Sequence, residues 1–275
     1  MSYVGRQIPT GRMDRFVKEN VWGKDPLLER RYSITAVITA GGVSKRFGSE
    51  DKQLAELGGW PLAAWPVYRL VKHPYVERVI LATTRKRFEV IVRELSRVLE
   101  GRLVDKIVFV ESGPHRYETV RQGMLETCTD YVLIQDGARP FITDDMIKLT
   151  VEAVFNGYHA SYVGRKPVDT VRTSSEYNPK TIDRGSLVLV QTPQVVNRND
   201  WLSAYLRVDL HKITDDIQMV EELYKIGRNT FRVKPVILPE SRYNIKITYP
   251  EDLMIAEMFI YMRQVDGGLM DYVKL

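Results

Sequence analysis

Three stretches of this sequence carry residues that could do chemistry. The first begins after Ile34–Thr39, a β-branched apolar run that reads as a buried strand. The run stops at Ala40-Gly41-Gly42, and Ser44, Lys45, Arg46, Gly48 and Lys52 follow. Glycines after a strand let the backbone turn tightly and approach a ligand, because no Cβ intervenes. Backbone N–H groups in such a loop point over the strand end, and the arginine and lysines add positive charge. That combination suits a nucleoside triphosphate. It is neither the Gly-Lys-Ser/Thr phosphate loop nor the dinucleotide G-x-G-x-x-G. A solvated turn with ordinary surface charges has the same composition.

The second stretch is Gln135-Asp136-Gly137-Ala138-Arg139-Pro140, at the end of another apolar run. An acid there can hold a divalent metal that bridges phosphate oxygens. The small residues after it leave room for a base or sugar, although Asp-Gly is also a common turn. The third is Asn244-Ile245-Lys246-Ile247-Thr248, in which Lys246 alternates with apolar residues as on a short strand. Facing inward, that lysine would be costly to bury unpaired, and a phosphate would satisfy it. Facing outward, it is surface charge. Thr214-Asp215-Asp216 precedes a helix, where Thr or Asp normally serves as N-cap. His73, His115, His159 and His211 show no ligand or triad spacing and read as structural or surface residues. No Ser/His/Asp or Cys/His set stands out, which argues against covalent nucleophilic catalysis.

The elements that must position these residues alternate from Ser33 onward. Spacing predicts helices over residues 61–72, 88–98 and 117–126, the first with Pro61 in its opening turn. A helix over Asp144–Phe155 follows, with Thr143 as N-cap. Strands are predicted over residues 78–83, 107–110, 131–135 and 160–163. Such alternation argues for a mostly parallel sheet covered on both faces, with ligands at the carboxyl ends of the strands. The glycine loop and the Asp136 turn should therefore meet at that edge. Residues 166–186 break the pattern and read as a hairpin arm that carries Thr170 and Arg184. So small an arm is poorly stabilised alone, which predicts packing against another subunit. Beyond it, residues 188–190 read as a strand, followed by Gln191-Thr192-Pro193-Gln194. Helices near 199–207 and 216–225, strands over 231–238 and 243–247, and a closing helix from Pro250 to about residue 263 complete the chain. Met254, Met258 and Phe259 on that last helix read as core.

Composition bounds the rest. The 275 residues are 44% hydrophobic and 27% charged, ordinary for a soluble globular protein with a proper core. The net charge of +5 fits an anionic small ligand, and it would also fit weak nucleic-acid binding. No block of Lys/Arg interleaves with aromatics, so specific nucleic-acid binding is the weaker reading. The single cysteine, Cys128, excludes an internal disulfide and a thiolate metal cluster, which fits a reducing cytoplasm. No apolar run could span a membrane, and no N-terminal signal core is visible. Residues 1–32 stand apart, with too many acids for a transit peptide. They read as an extension lying on the domain or on a partner subunit, or as a free tail, with the main domain over 33–275.

Taken in order, the motifs resemble a known family. They are the glycine loop with Arg and Lys, Gln-Asp-Gly-Ala-Arg-Pro, Asp-Thr, Asp-Arg, Gln-Thr-Pro-Gln, Thr-Asp-Asp and Asn-Ile-Lys-Ile-Thr-x-Pro-Glu-Asp-Leu. Over roughly residues 33–259 this resembles the 2-C-methyl-D-erythritol 4-phosphate cytidylyltransferases. The resemblance implies an α/β, Rossmann-like nucleotidyltransferase fold of the glycosyltransferase-A-like kind, a three-layer sandwich with a projecting β-arm. It implies a homodimer made by interlocked arms, and CMP transfer from CTP to a polyol phosphate with Mg²⁺. On this resemblance Ala40, Gly41, Gly42, Gly113, Thr119 and Ala138 would contact CTP. Arg46 and Lys52 match the triphosphate-binding pair, and Asp136 matches the metal-binding aspartate with Arg139 beside it. Thr170, Arg184, Thr192, Thr214 and Lys246 match residues around the polyol phosphate, the first two reaching in from the partner's arm. The sequence departs from the family pattern at Ser44 (often Gly), Asp51 (often Pro), Gln135 (often His), Gly137 (often Ala or Ser) and Leu189 (usually a large residue). A ribitol 5-phosphate cytidylyltransferase, an idle nucleotide-binding scaffold and a basic RNA-binding protein are the competing readings.

Overall fold

The computed structural model of the chain describes residues 32–42, 46–48 and 51–265. The extension expected over residues 1–32 lies outside the described residues except for Tyr32, which is buried against Tyr75 and Phe155. In chain order the strands are β1 (Ile34–Thr39), β2 (Glu56–Leu57), β3 (Trp60–Pro61), β4 (Val76–Thr83), β5 (Ile107–Glu111) and β6 (Tyr131–Asp136). They continue with β7 (Ala160–Arg165), β8 (Val171–Arg172), β9 (Thr181–Ile182), β10 (Leu189–Asn197) and β11 (Val233–Ile237). The helices are α1 (Ala64–Lys72), α2 (Arg85–Leu95), α3 (Gly101–Val104), α4 (Arg116–Leu125), α5 (Asp144–Phe155), α6 (Arg198–Tyr205), α7 (Asp216–Ile226) and α8 (Pro250–Val265).

A seven-stranded sheet in the order β11-β7-β10-β6-β1-β4-β5 forms the middle layer. β1 is parallel to β4 and β6, β4 to β5, and β7 to β11, while β10 runs antiparallel to both its neighbours. The two-residue period of a strand divides β1 between two cores. Ile34, Ala36 and Ile38 meet α1, α2 and α5 on one face, and Val37 meets α4, α6 and α7 on the other. Both faces are thus apolar, as a covered parallel sheet requires. A smaller cluster of Phe47, Leu57, Leu62, Ala138, Phe141, Ile247, Ala256 and Ile260 joins the β2–β3 ribbon and α8 to the carboxyl edge of the sheet. Thr143 caps α5 as expected, its Oγ1 accepting from Met146 N at 3.2 Å.

Four expectations need correction. Pro61 does not open a helix: it lies in β3, and α1 starts at Ala64. The Gln-Thr-Pro-Gln segment does not follow a strand but is the middle of β10, where pairing to β7 is interrupted between Val190 and Gln194. Pro193 has no N–H to donate, so the ladder breaks there. Residues 243–247 form no strand: the carbonyls of Asn244 and Ile247 accept from the side chains of Arg139 and Lys52, and Ile247 N donates to Ala138 O, so these groups join no ladder. Met254 and Met258 are not core; they are 70% and 61% exposed, and α8 buries Ala256 and Ile260. The arm does form a hairpin, but β8 and β9 pair over only two residues each, with Val168 and Tyr177 largely exposed.

Candidate active site

The expected meeting of the glycine loop and the Asp136 turn follows from strand register. Thr39 and Asp136 end adjacent parallel strands opposite each other, and Gly137 N donates to Thr39 O at 3.0 Å. A Cβ at Gly137 would lie 3.0 Å from both Ala40 Cβ and Gln53 Oε1, so glycine allows the two loops to touch. Asp136 emerges at this junction, almost fully buried. Its Oδ2 is 2.9 Å from Lys246 Nζ and 3.3 Å from Arg139 Nε, and its Oδ1 is 3.6 Å from Arg116 Nε. Burial alone would raise its pKa, but Lys246, Arg116 and Arg139 outweigh it and hold the carboxyl well below the usual range. Lys52 reaches the same place from a short 3-10 turn, Lys52–Leu54, and its Nζ donates to Ile247 O at 2.9 Å. Burial lowers its pKa, with Lys246 and Arg46 adding to the shift and Asp136 opposing it. Arg46 is exposed, its guanidinium 5.8 Å from the centre of the Tyr249 ring.

A buried polar network holds this arrangement. Thr192 lies beside the break in β10, and its Oγ1 accepts from Asp136 N at 3.1 Å. Asn244 is fully buried; its Nδ2 donates to Gln191 Oε1 at 3.1 Å and Thr192 O at 2.8 Å, and its carbonyl accepts from Arg139 at 2.8 Å. Ile247 N donates to Ala138 O at 2.9 Å. These bonds fix residues 244–247 against the Asp136 turn and so place Lys246. On the far side Arg116, the first residue of α4, spans two carboxylates, with Nη1 2.5 Å from Asp216 Oδ2. Asp216 also accepts from Trp201 Nε1 at 2.9 Å, and its N–H donates to Gln194 Oε1 at 3.1 Å. Sequence reasoning missed Arg116, Asn244 and Asp216 as parts of the site. Their signal was weak: Asp216 follows the true cap, Asp215, and Arg116 stood unremarked inside the Gly113–Thr119 segment.

The other expected residues divide. Gly41 abuts Ser112, since a Cβ there would fall 2.1 Å from Ser112 Cβ, while Gly42 faces open space. Ala40 is buried, with its carbonyl bound by Thr83 and Arg87. Gly113 packs on Glu118, and the buried Thr119 hydroxyl is held by the carbonyls of Gly113 and His115. The Thr214 hydroxyl donates to Gln218 Oε1 at 2.9 Å, within the cap of α7. Thr170 and Arg184 are exposed on the arm, where Arg184 Nη1 donates to Val168 O. No hydrogen bond or ion pair among the described residues joins either to the Asp136 cluster. Asp51, the residue before Lys52, pairs with Arg87 Nε at 2.7 Å.

Lys52, Lys246, Arg116 and Arg139 thus surround Asp136 with an excess of positive charge at the open edge of the sheet. Such a cluster can draw two mutually repelling phosphate groups together. Among the described residues no three His, Cys, Asp or Glu side chains gather, so a divalent ion at Asp136 would complete its shell from phosphate and water.

Comparison with known proteins places the chain in a family. The family model described as 2-C-methyl-D-erythritol 4-phosphate cytidylyltransferase matches residues 34–263. A protein of that name from Clostridium beijerinckii is 32% identical over 235 residues, spanning 82% of this chain and 98% of its own. One from Chlorobium phaeobacteroides is 32% identical over 248 residues, 83% of this chain and 94% of its own. Among solved structures, 4-diphosphocytidyl-2C-methyl-D-erythritol synthase from Anaerococcus prevotii superposes with a TM-score of 0.70 at 23% identity, covering 86% of this chain and 99% of that one. The 2-C-methyl-D-erythritol 4-phosphate cytidylyltransferase of Thermus thermophilus gives 0.63 at 23% identity, covering 83% and 99%. With a sheet of the same fold and a family match across nearly the whole described chain, this protein belongs to the 2-C-methyl-D-erythritol 4-phosphate cytidylyltransferase family.

Proposed function

We propose that this protein transfers CMP from CTP to 2-C-methyl-D-erythritol 4-phosphate, releasing pyrophosphate, as a step of non-mevalonate isoprenoid biosynthesis in the cytoplasm. The observation that carries the reading is the Lys52–Asp136–Lys246 constellation at the carboxyl edge of the sheet. A phosphate oxygen of the acceptor attacks the α-phosphorus of CTP. The bond to the β-phosphate's bridging oxygen breaks, and the electron pair leaves with pyrophosphate. The protein supplies no nucleophile. It holds two anions in line and stabilises charge at phosphorus.

Arg46 and Lys52 bind the triphosphate. Lys246 turns from Asp136 to the phosphate oxygens, and Arg139 and Arg116 keep Asp136 ionised meanwhile. Ala40, Gly41, Gly42, Gly113, Thr119 and Ala138 line the nucleoside. Thr192 and Thr214 lie on the acceptor side, where Thr170 and Arg184 arrive from the arm of a second subunit in a homodimer. Asp136 fits Mg²⁺, an ion that typically takes one or two carboxylates and completes its shell with phosphate and water. When bound, Mg²⁺ would neutralise phosphate charge at the reacting end of CTP. The ligand is a free nucleotide and not a nucleic acid.

The test is pyrophosphate release with CTP and Mg²⁺, comparing methylerythritol 4-phosphate with ribitol 5-phosphate. Release with the first alone is expected. Release with ribitol phosphate alone would reject the acceptor, and no binding of CTP would reject the activity.

A further inference from the structure

The first turn of α2 is built against the usual rule. It opens Arg85-Lys86-Arg87, with no acid, although the helix N-terminus carries partial positive charge and favours acids. Arg85 is accounted for by its guanidinium lying 3.9 Å over the ring of Phe109. Arg87 reaches elsewhere. Its Nε donates to Asp51 Oδ2 at 2.7 Å, its Nη1 to Ala40 O at 2.8 Å, and its Nη2 points to Gly42 O at 3.5 Å. Its side chain is only 11% exposed. One planar guanidinium therefore ties together both ends of the segment that carries Arg46 and leads into Lys52. It binds the carbonyls where β1 ends, and it binds the residue immediately before Lys52. Asp51 in turn caps the 3-10 turn that begins with Lys52, accepting from Gln53 N at 3.2 Å.

We propose that Arg87, with Asp51, is a positioning residue for CTP: a staple that fixes the spacing of the glycine loop so that Lys52 stands ready beside Asp136. The assignment to CTP rests on the function proposed above. Neither residue touches the Asp136 cluster, so the staple acts through Lys52 and not on the reacting atoms. A staple is replaceable by anything that stiffens the same point. Asp51 has φ −77°, a value that a proline ring accepts. Proline at 51 should therefore hold the entry to Lys52 without Arg87.

The experiment compares wild type, Arg87→Ala, Arg87→Lys, Asp51→Pro and the Arg87→Ala/Asp51→Pro double variant. Two readouts are followed: steady-state kinetics, and amide hydrogen exchange of peptides covering residues 34–54 without ligand. Arg87→Ala should raise KM for CTP about tenfold with kcat within about twofold, the pattern of lost ground-state positioning. It should also speed exchange of the segment, and the added proline should reverse both effects. Unchanged KM and exchange in Arg87→Ala would overturn the staple. So would a raised KM with unchanged exchange and no rescue by proline, which would mark Arg87 as a direct ligand of the nucleotide. If the proline variants do not fold, Arg87→Lys decides, because one ammonium cannot span both ends: values between wild type and Arg87→Ala support the staple, and wild-type values reject it. Should wild type not bind CTP, the function reading fails and the exchange arm alone decides the staple.

Discussion

Lys246 stands between the buried carboxylate of Asp136 and the phosphate site proposed above. Its ammonium is 2.9 Å from Asp136, yet its side chain is 42% exposed, so it can serve the carboxylate and an arriving phosphate in turn. Replacing it with alanine leaves Asp136 still facing Arg116 and Arg139, so the fold should survive. We expect Lys246→Ala to lower kcat/KM by a factor on the order of a hundred or more, as when a preorganised charge-stabilising group is removed. An unchanged melting profile should accompany it, and near-normal rates would reject the phosphate role. Lys52 adds a pH test. Its ammonium loses its proton below the usual lysine value of 10.5, because burial and then Lys246 disfavour the charge. Only the protonated form binds phosphate. The alkaline limb of kcat/KM for CTP should therefore set in earlier than a solvent-exposed lysine would give. Lys52→Arg should move that limb to higher pH, since a guanidinium stays charged there. A limb that does not move in this variant would place the titration elsewhere.

At the scale of elements, the site depends on two segments that break regular structure. One is the interruption in β10 that offers Thr192 to Asp136; the other is the irregular run 243–247 that carries Lys246. Asn244 joins them, binding Gln191 and Thr192 by its side chain and Arg139 by its carbonyl. Asn244→Ala leaves two buried acceptors without their donor, which should cost about 2–3 kcal/mol. A melting transition lower by roughly 5–10 °C is expected at this chain length, together with a fall in kcat from a displaced Lys246. Wild-type stability would remove Asn244 from the network. The same two segments mark where sequence reading stopped. The alternating elements, the Thr143 cap and the junction of the glycine loop with Asp136 were legible, because period, caps and strand order are local or nearly so. Asn-Ile-Lys-Ile-Thr imitates a strand by its alternation, and only tertiary partners, Ala138 for Ile247 N and Lys52 for Ile247 O, show that its backbone is otherwise engaged. Arg116 bridges residues 20 and 100 positions away, a pairing that no local pattern encodes. Asp51 departs from the family's frequent proline, and its partner Arg87 lies 36 positions on, again beyond any local pattern.

At the scale of the whole molecule, the arm is the part that a single chain does not explain. β8 and β9 share a ladder of two residues, and Val168 and Tyr177 on the same hairpin are 78% and 80% exposed. An isolated two-stranded hairpin is marginal in water, so such apolar exposure suits a second copy of the chain. Arg184 and Thr170 would then belong functionally to the neighbour's site while Lys246 belongs to its own. This division can be tested by complementation. Lys246→Ala disables the body of a subunit, and Arg184→Ala disables the arm. In a heterodimer of the two, one site combines both defects, and the other pairs an intact body with an intact arm. Random pairing makes half of the dimers mixed, so co-expression should restore about a quarter of wild-type activity from two inactive parents. If Arg184 instead served the subunit that carries it, every site in the mixture would keep one defect and no activity would return. Deleting residues 174–179 at the tip of the arm should weaken the dimer in sedimentation at low micromolar concentration. It should also abolish the restored activity at the same protein concentrations, because trans sites exist only while the two bodies are joined.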